Sequence, residues 1–408
     1  MRHVLAWACY DLANTFFAVA MLSFYFPLWV VETKGATELS FSVALGVSMV
    51  CVALLMPLCG AVSDATAARM RYLRWTTYGC TVATLLIGLT HNLSVAFLLF
   101  GVANVCYQLG TVFYDALLWR VSAPERLGET SGLGAAFGYL GSVVGLLILS
   151  PFVRAGGYQA AFAPAALSFL LFALPSFLLI RELPADGSVR MGWDETIRTA
   201  LCRLAATVRA ARSPRQDRPD ELSALWRFFW ASFFSLNAIN TVLVFMVIYM
   251  KRVAGFTQEE IIRFFMFSQL FAIAGSLVFS RMIPRWGAKR TLAWIWTGWL
   301  TALALAAADP SGPWLWVVGP LIGCCLGSTW ATSRVLLVEL SAKDRLAEMF
   351  GLAGLFAKAS SVLGPLLWGI LVRDPARYRY ALFLPMSLLA IGLCLLRRVP
   401  NQSGALST

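Results

Sequence analysis

The chain has 408 residues, 59% of them hydrophobic and only 13% charged, with a mean hydropathy of +0.72. A water-soluble domain carries about a quarter charged residues, so this chain cannot cover its own surface in water and must present most of it to lipid. The formal charge of +12 raises nucleic acid as a partner, until the placement of that charge is read.

Apolar runs fall at 4–31, 41–62, 73–90, 95–119, 132–153 and 158–180, and again at 226–250, 260–282, 291–308, 314–338, 350–372 and 378–396. About 20 apolar residues cross a bilayer as a helix. The pattern therefore predicts an all-α membrane protein of twelve transmembrane helices. It divides into a six-helix bundle over 1–180, a polar linker over 181–225 and a second six-helix bundle over 226–408. The first run is too long for the apolar part of a cleaved leader and contains Asp11 and Asn14, so it is read as the first span. Within the linker, Trp193, Ile197, Leu201, Leu204 and Val208 recur at helical spacing with arginines between them. That pattern suits an amphipathic helix on an anionic membrane surface or a solvated linker helix.

Lys and Arg set the orientation. With the N-terminus placed in the cytoplasm, most of the 33 Lys and Arg fall on inside segments, nine of them between Arg181 and Arg227. Both termini are then expected inside. The net charge is an orientation signal, and nucleic acid is not needed to explain it. The partners expected are the lipid bilayer and a small molecule, with protons as the candidate coupling ion and a monomer as the working unit. Short loops and compact length favour a bacterial inner membrane. The nine cysteines have no metal-ligand spacing and read as small core residues. No cofactor is expected. There is no phosphate-binding loop, His3 and His91 stand alone, and no nucleophile-with-base constellation argues for an enzyme.

The two halves repeat. A shift of 219 residues lays Ser122 on Ser341, Ala123 on Ala342, Arg126 on Arg345, Leu127 on Leu346, Glu129 on Glu348, Gly132 on Gly351 and Gly145 on Gly364, without a gap. Six helices return the chain to the same side, so this is a parallel duplication about an axis along the membrane normal, the way the major facilitator fold is built. Gly60 to Asp64, followed by Arg69 and Arg71, resembles the glycine-to-aspartate loop motif of major facilitators. There the aspartate caps and pairs at a helix end and helps to lock the cytoplasmic side.

Trp7, Tyr10, Asp11 and Asn14 in the first span, Phe113-Tyr114-Asp115 in the fourth and Ser131 to Gly141 in the fifth narrow the resemblance. With Ser333-Arg334, Ala347-Glu348, Phe350-Gly351, Lys358 and Gly364-Pro365, the chain resembles the vacuolar effluxer-like family of major facilitators. That resemblance implies small-molecule transport, with amino-acid efflux as the expected role. The chain departs from the family at Asp115, where Asn is usual, and at Asn237-Ala238-Ile239-Asn240-Thr241, where an Asp-Gly pair precedes Thr. The second departure removes an intramembrane acid on which ion coupling would rest.

Charges at bilayer depth cost at least about 2.5–3.5 kcal/mol and need partners or a watery cavity. Asp11, Asp115, Arg334 and Lys358 are the candidates. Asp115 falls on Arg334 in the repeat; the two are expected to pair across the axis and close the inner gate, or each to be satisfied in its own half. Lys358 suits a substrate carboxylate or a fixed ion pair. Asp11 shares a helix face with Asn14 and is the candidate for a coupled proton, unless it is a fixed partner of Lys358 or makes a helix-capping contact. Asn237, Asn240 and Thr241 offer amides and a hydroxyl to a zwitterion, or hold helices together. Tyr10, Tyr107, Gln108, Gln269 and Trp330 complete the candidate cavity lining. Asp64, Arg126, Glu129, Arg345 and Glu348 are gate candidates, with solvated helix caps the plain alternative. The expected function is secondary transport by alternating access. An amphiphile carrier of the same fold and a non-transporting membrane receptor or scaffold are the rivals.

Overall fold

The computed structural model describes residues 1–180, 193–212, 221–308, 314–371 and 382–400. The linker segments 181–192 and 213–220, and the outside arginines Arg373, Arg377 and Arg379, lie outside the described residues. Every element among the described residues is helical. In chain order the membrane helices are α1 (Arg2–Thr33), α2 (Glu38–Ala65), α3 (Arg69–Leu89), α4 (Leu93–Ala116), α5 (Leu127–Gly156) and α6 (Phe162–Leu179). After a linker helix (Trp193–Arg212) come α7 (Glu221–Arg252), α8 (Gln258–Trp286), α9 (Ala288–Ala308), α10 (Leu315–Leu340), α11 (Leu346–Leu371) and α12 (Phe383–Arg397). Among the described residues, nine of these are long and apolar enough to cross a bilayer. The chain is a multi-pass α-helical membrane protein with the twelve-helix architecture expected.

Local chemistry marks the helix starts. Thr37 accepts the Ser40 N–H ahead of α2, Asn92 accepts the Ser94 and Val95 N–H groups ahead of α4, and Thr257 with Glu260 forms a capping box on α8. Inside the spans, hydroxyls turn back on the chain. Thr77, Thr84, Ser268 and Thr329 each donate to the carbonyl four residues earlier, which satisfies these hydroxyls within their own helices. The α1 span widens into π-helical turns at Ala18–Ser23 and Trp29–Thr33, on either side of Pro27. Proline has no N–H to give to the preceding turn, which loosens the helix there.

One stripe of α2 shows what the outer surface faces. Leu39, Val43, Val47, Val50 and Leu54 recur at spacings of three and four and are 55–71% exposed. Such a stripe is stable against acyl chains and not against water.

The contacts group the chain into two compact units. Unit 1 holds Met1–Ala123, Phe137–Leu204 and Ala342–Leu352; unit 2 holds Pro124–Ala136, Ala205–Ser341 and Ala353–Thr408. In unit 1, α1 packs on α6, α3 on α4 and α6, and α2 on α4. In unit 2, α7 packs on α12, α9 on α10 and α12, and α8 on α10. The pairs correspond one for one, as a duplication requires. Unit 1 is cored by Trp7 stacked on Tyr114 at 4.4 Å and by Phe26 stacked on Phe100 at 4.7 Å. Unit 2 surrounds Phe356 with Trp226, Phe229, Trp230 and Phe233. The first half of the linker helix belongs to unit 1, where Ala200 packs on Ala61 and Val62 of α2. Its apolar Ile197 and Leu201 stay exposed.

Candidate functional site

The most completely built polar site lies in unit 1, where α2 ends. The Asp64 side chain is 1% exposed and Arg69 beside it 7%. Arg69 Nε donates to Asp64 Oδ1 at 2.8 Å, while its other nitrogens donate to the carbonyls of Ala116 (3.3 Å) and Lys343 (3.0 Å). Asp64 Oδ2 accepts the Glu348 N–H at 2.8 Å. Glu348 is the third residue of α11, so the carboxylate caps a helix whose first N–H groups have no acceptor of their own. Its negative charge also suits the positive end of the helix. The Glu348 side chain is itself buried and pairs with Arg345 at 2.7 Å. The Lys343 ammonium lies 4.4 Å from the centre of the Trp119 ring. Two glycines let the backbones meet: a side chain at Gly60 would run into the Ala347 carbonyl, and one at Gly351 into the Met56 carbonyl. Asp64, Arg345 and Glu348 are thus brought together. Arg126, in the short turn before α5, and Glu129, on the first turn of α5, sit in unit 2 as an exposed pair 3.5 Å apart.

A second polar cluster in unit 1 centres on Asp11. A Cβ at Gly138 would stand 3.5 Å from the Asp11 carboxyl carbon, and Tyr107 and Tyr139 lie within its electrostatic reach. Thr15 donates to the carbonyls of Asp11 and Gly138, each at 3.0 Å, tying α1 to α5. Asn14 is buried, and its Oδ1 has no hydrogen-bond partner among the described residues. Tyr10 is 1% exposed, stacks on Tyr114 and shares a hydrogen bond of 2.7 Å with Thr77. Gln108 is buried and reaches Met49 sulfur at 3.9 Å.

In unit 2, Asn237 donates to the Phe233 carbonyl and Thr241 to the Asn237 carbonyl, both packed against Gly364 of α11. Asn240 donates to the Ser360 hydroxyl at 3.3 Å. Lys358, two residues before Ser360 on α11, is half-buried, and no carboxylate pairs with it among the described residues. Gln269 keeps its buried Oε1 without a partner, and Trp330 is 39% exposed. Asp115 and Arg334 fall in separate units, and each is engaged.

Sequence reasoning missed Tyr139, Ser360 and Lys343. Tyr139 follows Gly138 in a quoted motif, so its place beside Asp11 was open to a helical-wheel argument. The Lys343 contribution is a main-chain carbonyl, which leaves no trace in residue type. No group of His, Cys, Asp and Glu among the described residues has the arrangement of a metal site.

Comparison with known proteins agrees with this architecture. The sequence profile of the Major Facilitator Superfamily matches residues 12–298 and 228–408. An uncharacterized protein of Aquifex aeolicus is 26% identical over 374 residues, covering 89% of this chain and 88% of that protein. An uncharacterized MFS-type transporter of Bacillus subtilis, YxiO, is 21% identical over 420 residues, covering 98% and 95%. Among solved structures, a bacterial homologue of the iron transporter ferroportin superposes with a TM-score of 0.72 at 16% identity, covering 97% of this chain and 98% of that one. The human organic anion transporter MFSD10 (TETRAN) superposes with a TM-score of 0.70 at 14% identity, covering 97% and 98%. At such identities the structural likeness is one of fold. A polytopic helical chain with a duplicated six-helix core, an aspartate-capped α11 and a family profile running through both halves is a transporter of the Major Facilitator Superfamily.

Proposed function

We propose that the chain moves a small zwitterionic metabolite, an amino acid in the leading case, by alternating access. The observation that carries this is Lys358. An ammonium held within a membrane helix is costly unless something neutralises it, and no carboxylate of the described residues does so. A substrate carboxylate answers that need. Asn240 and Ser360, adjoining on α7 and α11, supply neutral hydrogen-bonding groups in the same unit. The resemblance to the vacuolar effluxer-like family points to the same substrate class. Asp11, flanked by Tyr107 and Tyr139, is the acid assigned to proton coupling. The Asp64–Arg69–Glu348 cluster acts as the gate element, released when α11 changes its place.

The test is uptake into proteoliposomes. Labelled amino acids are screened with and without an imposed pH gradient, beside Lys358→Ala. Gradient-stimulated flux that the variant loses supports the assignment. Folded protein that moves no amino acid would remove the substrate class, and flux unchanged in Lys358→Ala would remove the role of Lys358.

A further inference from the structure

The duplicated halves differ where α2 and α8 end, and a cavity lies at the end of α8. In unit 1, Gly60 of α2 meets Ala347, and Gly351 meets Met56. In unit 2, the repeat positions Gly128 and Gly132 of α5 meet Ser280 and Ser276 of α8. These contacts place α8 on α2 with a shift of 220 residues. The shift lays Gly287 on Ala67, and both have left-handed backbones, with φ of 78° and 48°. Pro284 then stands where unit 1 has Asp64, and Lys289 where it has Arg69.

Unit 2 therefore has no carboxylate of its own at this position. Lys289 has turned away to donate to the carbonyls of Arg397 and Val399. What remains is a cavity of about 390 Å³, lined among others by Gly128 on the first turn of α5 and by Arg285, Lys289 and Arg290. Glu125 and Glu339 also line it. Arg285 and Arg290 make no ion pair or hydrogen bond among the described residues. Trp286, on the cavity wall, and Trp294 one helix along are 43% and 60% exposed, with rings 6.4 Å apart. Exposed tryptophans of a membrane protein settle at headgroup depth. Guanidinium groups beside a helix N-terminus are groups that can hold a phosphate.

We propose that this cavity binds a phosphate group at the headgroup level of the bilayer, in the place that the Asp64 carboxylate holds in unit 1. The phosphate bridges Arg285 and Arg290 to the first turn of α5 and so steadies the α5–α8 contact. A phospholipid headgroup and free phosphate offer the same chemistry.

The test uses the full chain purified in detergent, with thermal unfolding followed by tryptophan fluorescence. The chain is titrated separately with dioctanoyl phosphatidylglycerol, inorganic phosphate and dioctanoylglycerol. The expected result is a saturable rise in apparent Tm with the phospholipid and none with dioctanoylglycerol. In R285Q/R290Q the half-saturating concentration rises at least about tenfold, as expected for the loss of two charge-assisted contacts. R285K/R290K keeps most of the response, which separates loss of charge from loss of fold. A saturable response to inorganic phosphate that needs the same arginines also supports the site and names the free anion as a source. An equal response in R285Q/R290Q, an equal response to dioctanoylglycerol, or no saturable response to either phosphate compound would overturn it.

Discussion

Removing the Asp64 carboxylate exposes how much of unit 1 depends on charge. The Asp64 and Arg69 side chains are 1% and 7% exposed, so solvent screens the pair little. Asp64→Ala leaves the Arg69 guanidinium buried without its counter-ion and the Glu348 N–H without its cap. Breaking one side of a buried ion pair costs about 3–5 kcal/mol, and a lost helix cap adds about 1 kcal/mol. Asp64→Asn keeps one acceptor oxygen and the shape, so its cost is set at about 1.5–3 kcal/mol, the worth of a hydrogen bond to a charged group. The order Asp64→Ala, then Asp64→Asn, then wild type should appear in the apparent Tm of detergent-purified protein. The double variant Asp64→Asn/Arg69→Gln should cost less than the sum of its parts, by about 1–3 kcal/mol, because the second change removes a charge the first has orphaned. Additive effects, or an Asp64→Asn protein within about 0.5 kcal/mol of wild type, would refute a cluster held together by that charge.

Other substitutions separate packing from transport. Gly60→Ala or Gly351→Ala drives a methyl into a main-chain carbonyl of the facing helix and should cost about 1–3 kcal/mol; an unchanged Tm would mean that α2 and α11 do not need this approach. Tyr10→Phe loses the bond to Thr77, about 1 kcal/mol of stability, and leaves KM for substrate unmoved; a shifted KM would return Tyr10 to the substrate. Lys358→Arg should keep measurable flux while Lys358→Met raises KM roughly tenfold or more, the equivalent of one charge-assisted bond. Equal flux in the two variants would count against a carboxylate ligand.

The fold was legible because bilayer thickness and the duplication act on whole segments. Twelve apolar runs give twelve helices, and the match of Arg126, Leu127 and Glu129 with Arg345, Leu346 and Glu348 reports a shared packing plan that single residues cannot. The site was legible only in part. Asp64 and Glu348 carry motif signals, but their hydrogen bond joins positions 284 residues apart through a main-chain N–H, which any residue type supplies. Tyr10 and Asn237 were read as cavity residues from their polar side chains and their places in the first and seventh spans. The Tyr10 hydroxyl bonds Thr77 and the Asn237 amide nitrogen donates to the Phe233 carbonyl, partners on a neighbouring helix and on the preceding turn that polarity does not reveal. Asp11 and Lys358 stood out because an ionisable group inside a span is rare whatever its surroundings. The pairing of Gly287 with Ala67 needed backbone angles, because the two residues share a positive φ and not a side chain.

The divergence at Pro284 makes a sharper demand than any deletion. If a bound phosphate in unit 2 does what Asp64 does in unit 1, a carboxylate supplied by the chain should make the phosphate redundant. Pro284→Asp places that carboxylate at the repeat position, near Arg285, Lys289 and the first turn of α5. The change also returns an N–H to α8 and removes the proline ring from its last turn. Pro284→Asn carries the same backbone change without the charge and is the control. The expected outcome is a higher ligand-free Tm in Pro284→Asp than in Pro284→Asn, by the degrees that saturating phosphatidylglycerol gives wild type. Its further response to the lipid should be largely lost. A Pro284→Asp protein that still responds as fully as Pro284→Asn would show that the cavity and the Asp64 cap are unrelated features of the two halves.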